Sequence, residues 1–191
     1  TNLPEEKEKE EYIATIKNIV EENEIGYLGM GNEINTNYLD SYSTTFSKTY
    51  DEIKKVSPET QVLTIFQLEY MKRNNQWNLI SNFEKADLIA FTTYPIILYQ
   101  TPSEIPSDYY SEINQKTSKK IAFTEVGWLR KEIQQIEFIK IFNEQTKSLN
   151  PKFSIWPFLY NQNILYPFDK MGLLQNNEEN SLELEEWNKR Q

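Results

Sequence analysis

The chain has neither cysteine nor histidine in its 191 residues. Without cysteine there is no disulfide, no thiolate nucleophile and no cysteine-ligated zinc. Without histidine there is no Ser-His-Asp triad, no histidine-ligated metal and no imidazole base. Any acid–base chemistry falls to Asp, Glu, Tyr or Lys. Glycine is scarce, with five residues. None of them forms G-x-G-x-x-G or a Walker pattern, so no phosphate-cradling loop is expected. Asp40, Asp51 and Asp87 lack metal-ligand spacing, and neither a metal nor a cofactor is expected. No apolar run approaches the ~18 residues of a membrane span. No signal peptide is visible at Thr1. Basic residues are also in deficit, 20 against 29 acidic, for a net charge of −9. Nucleic acids and anionic lipids need a basic footprint and are disfavoured as partners. A neutral partner such as a polysaccharide is unaffected by that argument.

Hydrophobic residues make up only 38%, but aromatics reach 14%, with 12 Tyr, 10 Phe and 4 Trp. Aromatic rings bury a large area per residue, and their flat faces also suit sugars. The length allows one domain with a sizeable core.

Helical spacing is clear over 4–23, where Tyr12, Ile13, Ile16, Ile19 and Val20 make a stripe behind an acidic first turn. Further helices are predicted at 38–55, 75–85, 109–115, 131–148 and 181–190. Continuous apolar runs predict strands at 26–32, 62–66, 87–92, 121–124 and 153–158. Runs apolar throughout suit strands covered on both faces. Strand starts near 26, 61, 87, 120 and 153 have the rhythm of parallel βα units in an α/β fold. An eight-unit barrel typically needs ~250 residues. The alternatives are an open five-stranded sheet, or the C-terminal part of a barrel whose first strands lie outside this stretch.

Two glutamates stand at strand ends. Glu33 closes Tyr-Leu-Gly-Met-Gly-Asn-Glu (27–33), and Glu125 closes Ile-Ala-Phe-Thr-Glu (121–125). A carboxylate at the C-terminal tip of a buried strand points into the mouth of an α/β fold. Two of them can act as general acid and nucleophile on a glycosidic bond. Read one at a time, the residues are less specific. Glu33 alone could be a cap. Tyr94 and Trp156 could be core aromatics, and Trp128 reads as structural or at the rim. Gln67 follows the second strand and could line a cleft, while Glu69 reads better as a solvated loop charge. Trp77 and Trp187 read as packing residues. The acidic runs 5–11 and 178–186 read as solvated helix faces.

Taken in order, the motifs resemble the retaining glycoside hydrolases of clan A, which are (β/α)₈ barrels. Gly31-Asn32-Glu33 is similar to the Asn-Glu that ends their fourth strand, where Glu is the acid/base. Thr124-Glu125-Val126-Gly127-Trp128 resembles the nucleophile motif of their seventh strand. Two predicted strands lie between them, as in the family. Tyr94-Pro95 resembles the family's tyrosine near the nucleophile, and Trp156 falls where many members place a tryptophan under the sugar. Met171-Gly172-Leu173 resembles the turn before their last helix. The endo-galactanase-like branch, with Gly-Asn-Glu and Glu-x-Gly, is the most similar.

The resemblance implies a retaining β-glycosidase. Glu33 would be acid/base and Glu125 nucleophile. Asn32 would bond the sugar 2-hydroxyl, and Tyr94 would orient Glu125 and keep it ionised. Trp156, Trp128 and Gln67 would contact substrate. It implies a carbohydrate partner, no cofactor, and a secreted or cell-surface location. It also implies three preceding strands, with an arginine that relatives use, so a missing N-terminal barrel segment is a further expected partner. The alternatives are a non-catalytic carbohydrate-binding protein on a degenerate barrel, and an unrelated α/β protein.

Overall fold

The computed structural model describes residues 6–38, 40–129, 133–175 and 178–189. The fold is α/β, a four-stranded parallel sheet in the order β1-β2-β3-β4 with helices between the strands. The chain forms two compact units, one ending at Phe91 and the other beginning at Thr92, within the third strand. Among the described residues no helix is long and apolar enough to cross a membrane.

The first unit opens with α1 (Glu6–Glu22), whose first turn carries Glu6 and Glu8. It packs on α2 (Asp40–Val56). Of the predicted α1 stripe only Val20 is buried, and Tyr12 and Ile19 remain exposed. Strand β1 (Tyr27–Met30) pairs in parallel with β2 (Gln61–Gln67), from Tyr27 opposite Gln61 to Met30 opposite Thr64. Helix α3 (Leu68–Arg73) follows β2 without a loop. The helix predicted over 75–85 is a 3₁₀ segment, Trp77–Phe83. Strand β3 (Leu88–Thr93) is buried at every position, as its unbroken apolar run required. Phe83 ties the layers together, its ring edge-on to Phe46 of α2 at 5.1 Å and to Phe66 of β2 at 5.7 Å.

Asp87 anchors the entry to β3. Its carboxylate accepts from the Val62 backbone N–H (2.8 Å) and the Tyr50 hydroxyl (3.1 Å), and it pairs with Lys54 Nζ at 2.9 Å. The Tyr50 hydroxyl is pushed up to about 12, first by burial and then by the Asp87 carboxylate. An unfolded tyrosine titrates near ~10. Between those values the unfolded chain gives up the proton first, so stability falls as pH rises from about 10 towards 12. Tyr50→Phe should remove this part of the alkaline loss. Parallel melting curves for variant and wild type across the alkaline range would show that Tyr50 contributes nothing.

The second unit holds the end of β3, α4 (Ile113–Lys116), β4 (Lys120–Val126), α5 (Gln134–Gln145) and α6 (Leu182–Asn188). The Pro- and Tyr-rich stretch after β3 makes two short 3₁₀ turns, Pro95–Ile97 and Pro102–Glu104. The core is aromatic. Tyr110, Phe123 and Phe142 meet edge-on at 5.1 to 5.8 Å, and Trp187 of α6 stacks on Phe142. The predicted fifth strand is present as a short segment alongside β4. The backbone bonds Lys152 N to Ile121 O, Phe123 N to Phe153 O, Ile155 N to Phe123 O and Val126 N to Ile155 O run at 2.8 to 3.0 Å. It stops before 158 because Pro157 lacks the N–H that a ladder needs. Parts of the predicted helices at 4–5, 39, 131–132 and 190 lie outside the described residues. Within the acidic run 178–186, Glu183 is buried and not on a solvated face.

Candidate active site

In the first unit, β1 ends at Met30 and the chain leaves the sheet in a tight turn. Gly31 has φ 71°, and Glu33 adopts the left-handed conformation with φ 48° and ψ 42°. That region disfavours a residue with a Cβ by roughly 1–2 kcal/mol, so surrounding contacts must hold Glu33 there. Its carbonyl accepts from the Thr36 N–H (3.0 Å) and Thr36 Oγ1 (2.8 Å) at the start of a 3₁₀ turn, Ile34–Asn37. Asn32 is exposed and Glu33 half-buried.

Behind this turn lies a buried polar cluster that the sequence did not announce. Asn35 is 1% exposed and bonds Gln67. Gln67 Nε2 donates to Glu69 Oε2 at 2.7 Å, and Gln67 Oε1 accepts from the Tyr70 N–H, capping α3. Both ends of the Gln67 side chain are therefore engaged and it is 5% exposed. Gln67 is the N-cap of α3. Glu69, read as a solvated charge, is 1% exposed. No loop separates β2 from α3, and this draws the first helical turn inside.

In the second unit, Glu125 lies near the end of β4 and is half-buried. The Tyr94 hydroxyl, just past the end of β3, donates to Glu125 Oε2 at 2.5 Å. The Tyr94 ring is buried at 4% exposure. Gly127 makes room for it, since a Cβ there would lie 2.5 Å from Tyr94 Cε1. Phe168 closes the other side, edge-on to Tyr94 at 5.5 Å. Ring and hydroxyl are thus fixed, and the hydroxyl holds one oxygen of Glu125 in place.

The two tryptophans lie inside this unit. Trp128 is fully buried and stacks on Phe138 at 5.2 Å, so its ring has no face for a ligand. Trp156 is 7% exposed, and its indole N–H donates to Met171 O at 2.7 Å. It packs against Phe138 and Trp187. Both pack in the core of this unit, Trp128 in keeping with its reading as structural and Trp156 with its reading as a core aromatic. The exposed rings nearby belong instead to Tyr166 (73%) and Phe168 (37%). Neither was singled out, because no strand-end motif marks the loop between Trp156 and Met171.

At the sequence level no protein family and no curated protein matches the chain. Solved structures do. A psychrophilic glycoside hydrolase family 10 endo-β-1,4-xylanase is similar with TM-score 0.68 at 12% identity, over 97% of this chain and 69% of that one. What it shares with this chain is the fold, a parallel α/β sheet with helices between the strands. The GH53 catalytic domain of Ignisphaera aggregans is similar with TM-score 0.60 at 16% identity, over 91% of this chain and 62% of that one. A GH2 β-galacturonidase from Eisenbergiella tayi, bound to galacturonate, is similar with TM-score 0.60 at 16% identity, over 95% of this chain and 36% of that one. The chain thus spans about three fifths of the GH53 domain and about a third of the galacturonidase. At these identities the likeness is one of fold alone.

Proposed function

We propose that this chain carries the catalytic glutamates of a retaining β-glycosidase acting on a poly- or oligosaccharide. It would do so as the part of a (β/α)₈ barrel from the fourth strand onward, completed by a preceding segment and working as one domain. The observation that carries the reading is the hydrogen bond from buried Tyr94 to Glu125, a strand-end carboxylate held from one side. In this reading Glu125 attacks the anomeric carbon and Glu33 protonates the leaving oxygen. Glu33 then takes a proton from the water that hydrolyses the glycosyl-enzyme. Asn32, exposed beside Glu33, would bond the sugar 2-hydroxyl. The mechanism requires the two carboxyls ~5–5.5 Å apart when substrate is bound.

The test is covalent trapping. 2-Deoxy-2-fluoro β-glycosyl fluorides of galactose, glucose and xylose are offered to the protein, followed by peptide mass analysis. The expected adduct is on the peptide holding Glu125. An adduct on another carboxylate in an active protein would remove Glu125 as nucleophile. Tyr94→Phe keeps the packed ring and deletes the donor. A hydrogen bond to a charged group contributes about 1.5–3 kcal/mol, and if that interaction is held into the transition state kcat should fall roughly 10- to 100-fold. Equal kcat for variant and wild type would leave Tyr94 a packing residue.

A second reading is a non-catalytic carbohydrate-binding protein. The exposure of Tyr166 and Phe168 favours it, since such rings can stack on sugar faces without chemistry. Glycan binding that survives Glu125→Gln, with no product released by the wild type, would select it.

A further inference from the structure

We infer that Asn35 is a positioning residue for Glu33, acting as a side-chain extension of the β1–β2 ladder that forces the glutamate into its left-handed turn. The inference rests on the reading of Glu33 as the acid/base. Backbone pairing between β1 and β2 ends with Met30 opposite Thr64. Gln67 lies three residues farther along β2, and its backbone N–H and C=O are buried and still need partners. Asn35 supplies both. Its Oδ1 accepts from the Gln67 N–H at 2.8 Å, and its Nδ2 donates to the Gln67 carbonyl at 3.0 Å. The same Nδ2 reaches Gln76 Oε1 at 3.3 Å. The amide thus does what a paired strand residue would do, from a side chain that is 1% exposed.

The consequence falls on the residues between. Met30 is fixed in the ladder and Asn35 is fixed on Gln67. The four residues from Gly31 to Ile34 must bridge those points, which requires left-handed backbone at Gly31 and Glu33. The Glu33 carbonyl is locked by Thr36. A carboxyl that must first give and then take a proton at one oxygen needs this fixed origin, because proton transfer depends on sub-ångström placement. Asn35 touches no reacting atom, so its effect runs through Glu33.

Two readouts separate positioning from general structure, each taken on wild type, Asn35→Ala, Asn35→Asp and Glu33→Gln. The first is amide hydrogen exchange, which needs no substrate. In Asn35→Ala the Gln67 amide should exchange at least ~10-fold faster, with β3 unchanged. In Asn35→Asp the acceptor for the Gln67 N–H remains, so that amide should stay protected; this variant keeps the test open if Asn35→Ala does not fold. The second readout compares phenyl with 2,4-dinitrophenyl β-galactosides, glucosides and xylosides. Phenolate leaving needs a proton and dinitrophenolate does not. In kcat/KM, which reports the glycosylation step, Asn35→Ala should lose about 10- to 100-fold on the phenyl substrates and within ~3-fold on the dinitrophenyl ones, matching in kind the loss from Glu33→Gln. Parallel loss on both leaving groups in Asn35→Ala, an unchanged Gln67 amide in Asn35→Ala, or a Gln67 amide that loses protection in Asn35→Asp would overturn the proposal. If Glu33→Gln itself spares the phenyl substrates, the acid/base reading fails, and that result is distinct from either outcome for Asn35.

Discussion

Replacing Glu125 with Ala is expected to abolish hydrolysis of aryl β-glycosides, and added azide should restore turnover with an α-glycosyl azide as product. The stereochemistry makes this decisive. With the nucleophile gone, the α face of the sugar is open, and azide attacks there once, inverting the anomeric centre. Replacing Glu33 with Ala should give the opposite product. Glu125 still forms the glycosyl-enzyme with a dinitrophenyl substrate, and azide then enters on the β face where water would have been activated, giving net retention. The expected losses also differ. Removing a nucleophile that acts as a unit with its partners lowers kcat by at least ~10⁴-fold. Removing a general acid lowers it by about 10²–10⁴-fold and mainly on poor leaving groups. NMR of the azide products reads both outcomes. A β-azide from Glu125→Ala, or an unchanged hydrolysis rate in either variant, would reverse or remove the assigned roles. Glutamine variants of the same positions check the result without opening space, since they keep the volume and delete the charge.

The elements that sequence makes legible are those whose pattern depends on burial alone. β3 is buried throughout, and β2 nearly so. Their apolar runs, bounded by polar residues, place them within a residue or two. α3 was not legible because Gln67 ends a strand and caps a helix at once, leaving no loop residues to mark the change. The segment at 152–155 read as a full strand because Phe153 to Phe158 is apolar with β-formers, but Pro157 removes a donor.

The site divides along the same line. That Glu125 falls near the end of β4 and Glu33 in the turn just past β1 follows from where the apolar runs stop. Which way a side chain turns beyond the last ladder residue does not. Trp128 lies three residues past Glu125 and turns inward onto Phe138. Trp156 turns onto Trp187. Gln67 folds back on its own helix. Asn35 was missed for a related reason. An asparagine in Ile-Asn-Thr-Asn reads as turn chemistry, and only the course of β2 shows that its amide completes a ladder. In each case the deciding partner is distant in sequence and carries no periodicity.

Gly31→Ala should be strongly destabilising. Gly31 has φ 71°, where an alanine costs about 1–2 kcal/mol. The added Cβ would also lie 2.4 Å from the Tyr42 hydroxyl oxygen and 2.5 Å from Ile34 Cγ2, well inside contact distance. Overpacking of that kind typically costs ~1–3 kcal/mol, so a loss of about 2–4 kcal/mol is expected. The tyrosine offers a way to apportion it. Its hydroxyl is buried with no hydrogen-bond partner among the described residues, and burial pushes its pKa upward. Deleting an unsatisfied buried hydroxyl is close to neutral or stabilising. Tyr42→Phe should therefore leave stability unchanged or raise it slightly. The ring would keep its packing on Phe83. In the double variant the clash with the hydroxyl is gone while the backbone strain and the Ile34 contact remain. Chemical denaturation of the four proteins should then show a favourable coupling of roughly 1 kcal/mol between the two sites. Strict additivity would mean that the Tyr42 ring moves aside without resistance. In that case the glycine is required by its backbone conformation alone, the same left-handed start that delivers Glu33 to the end of β1.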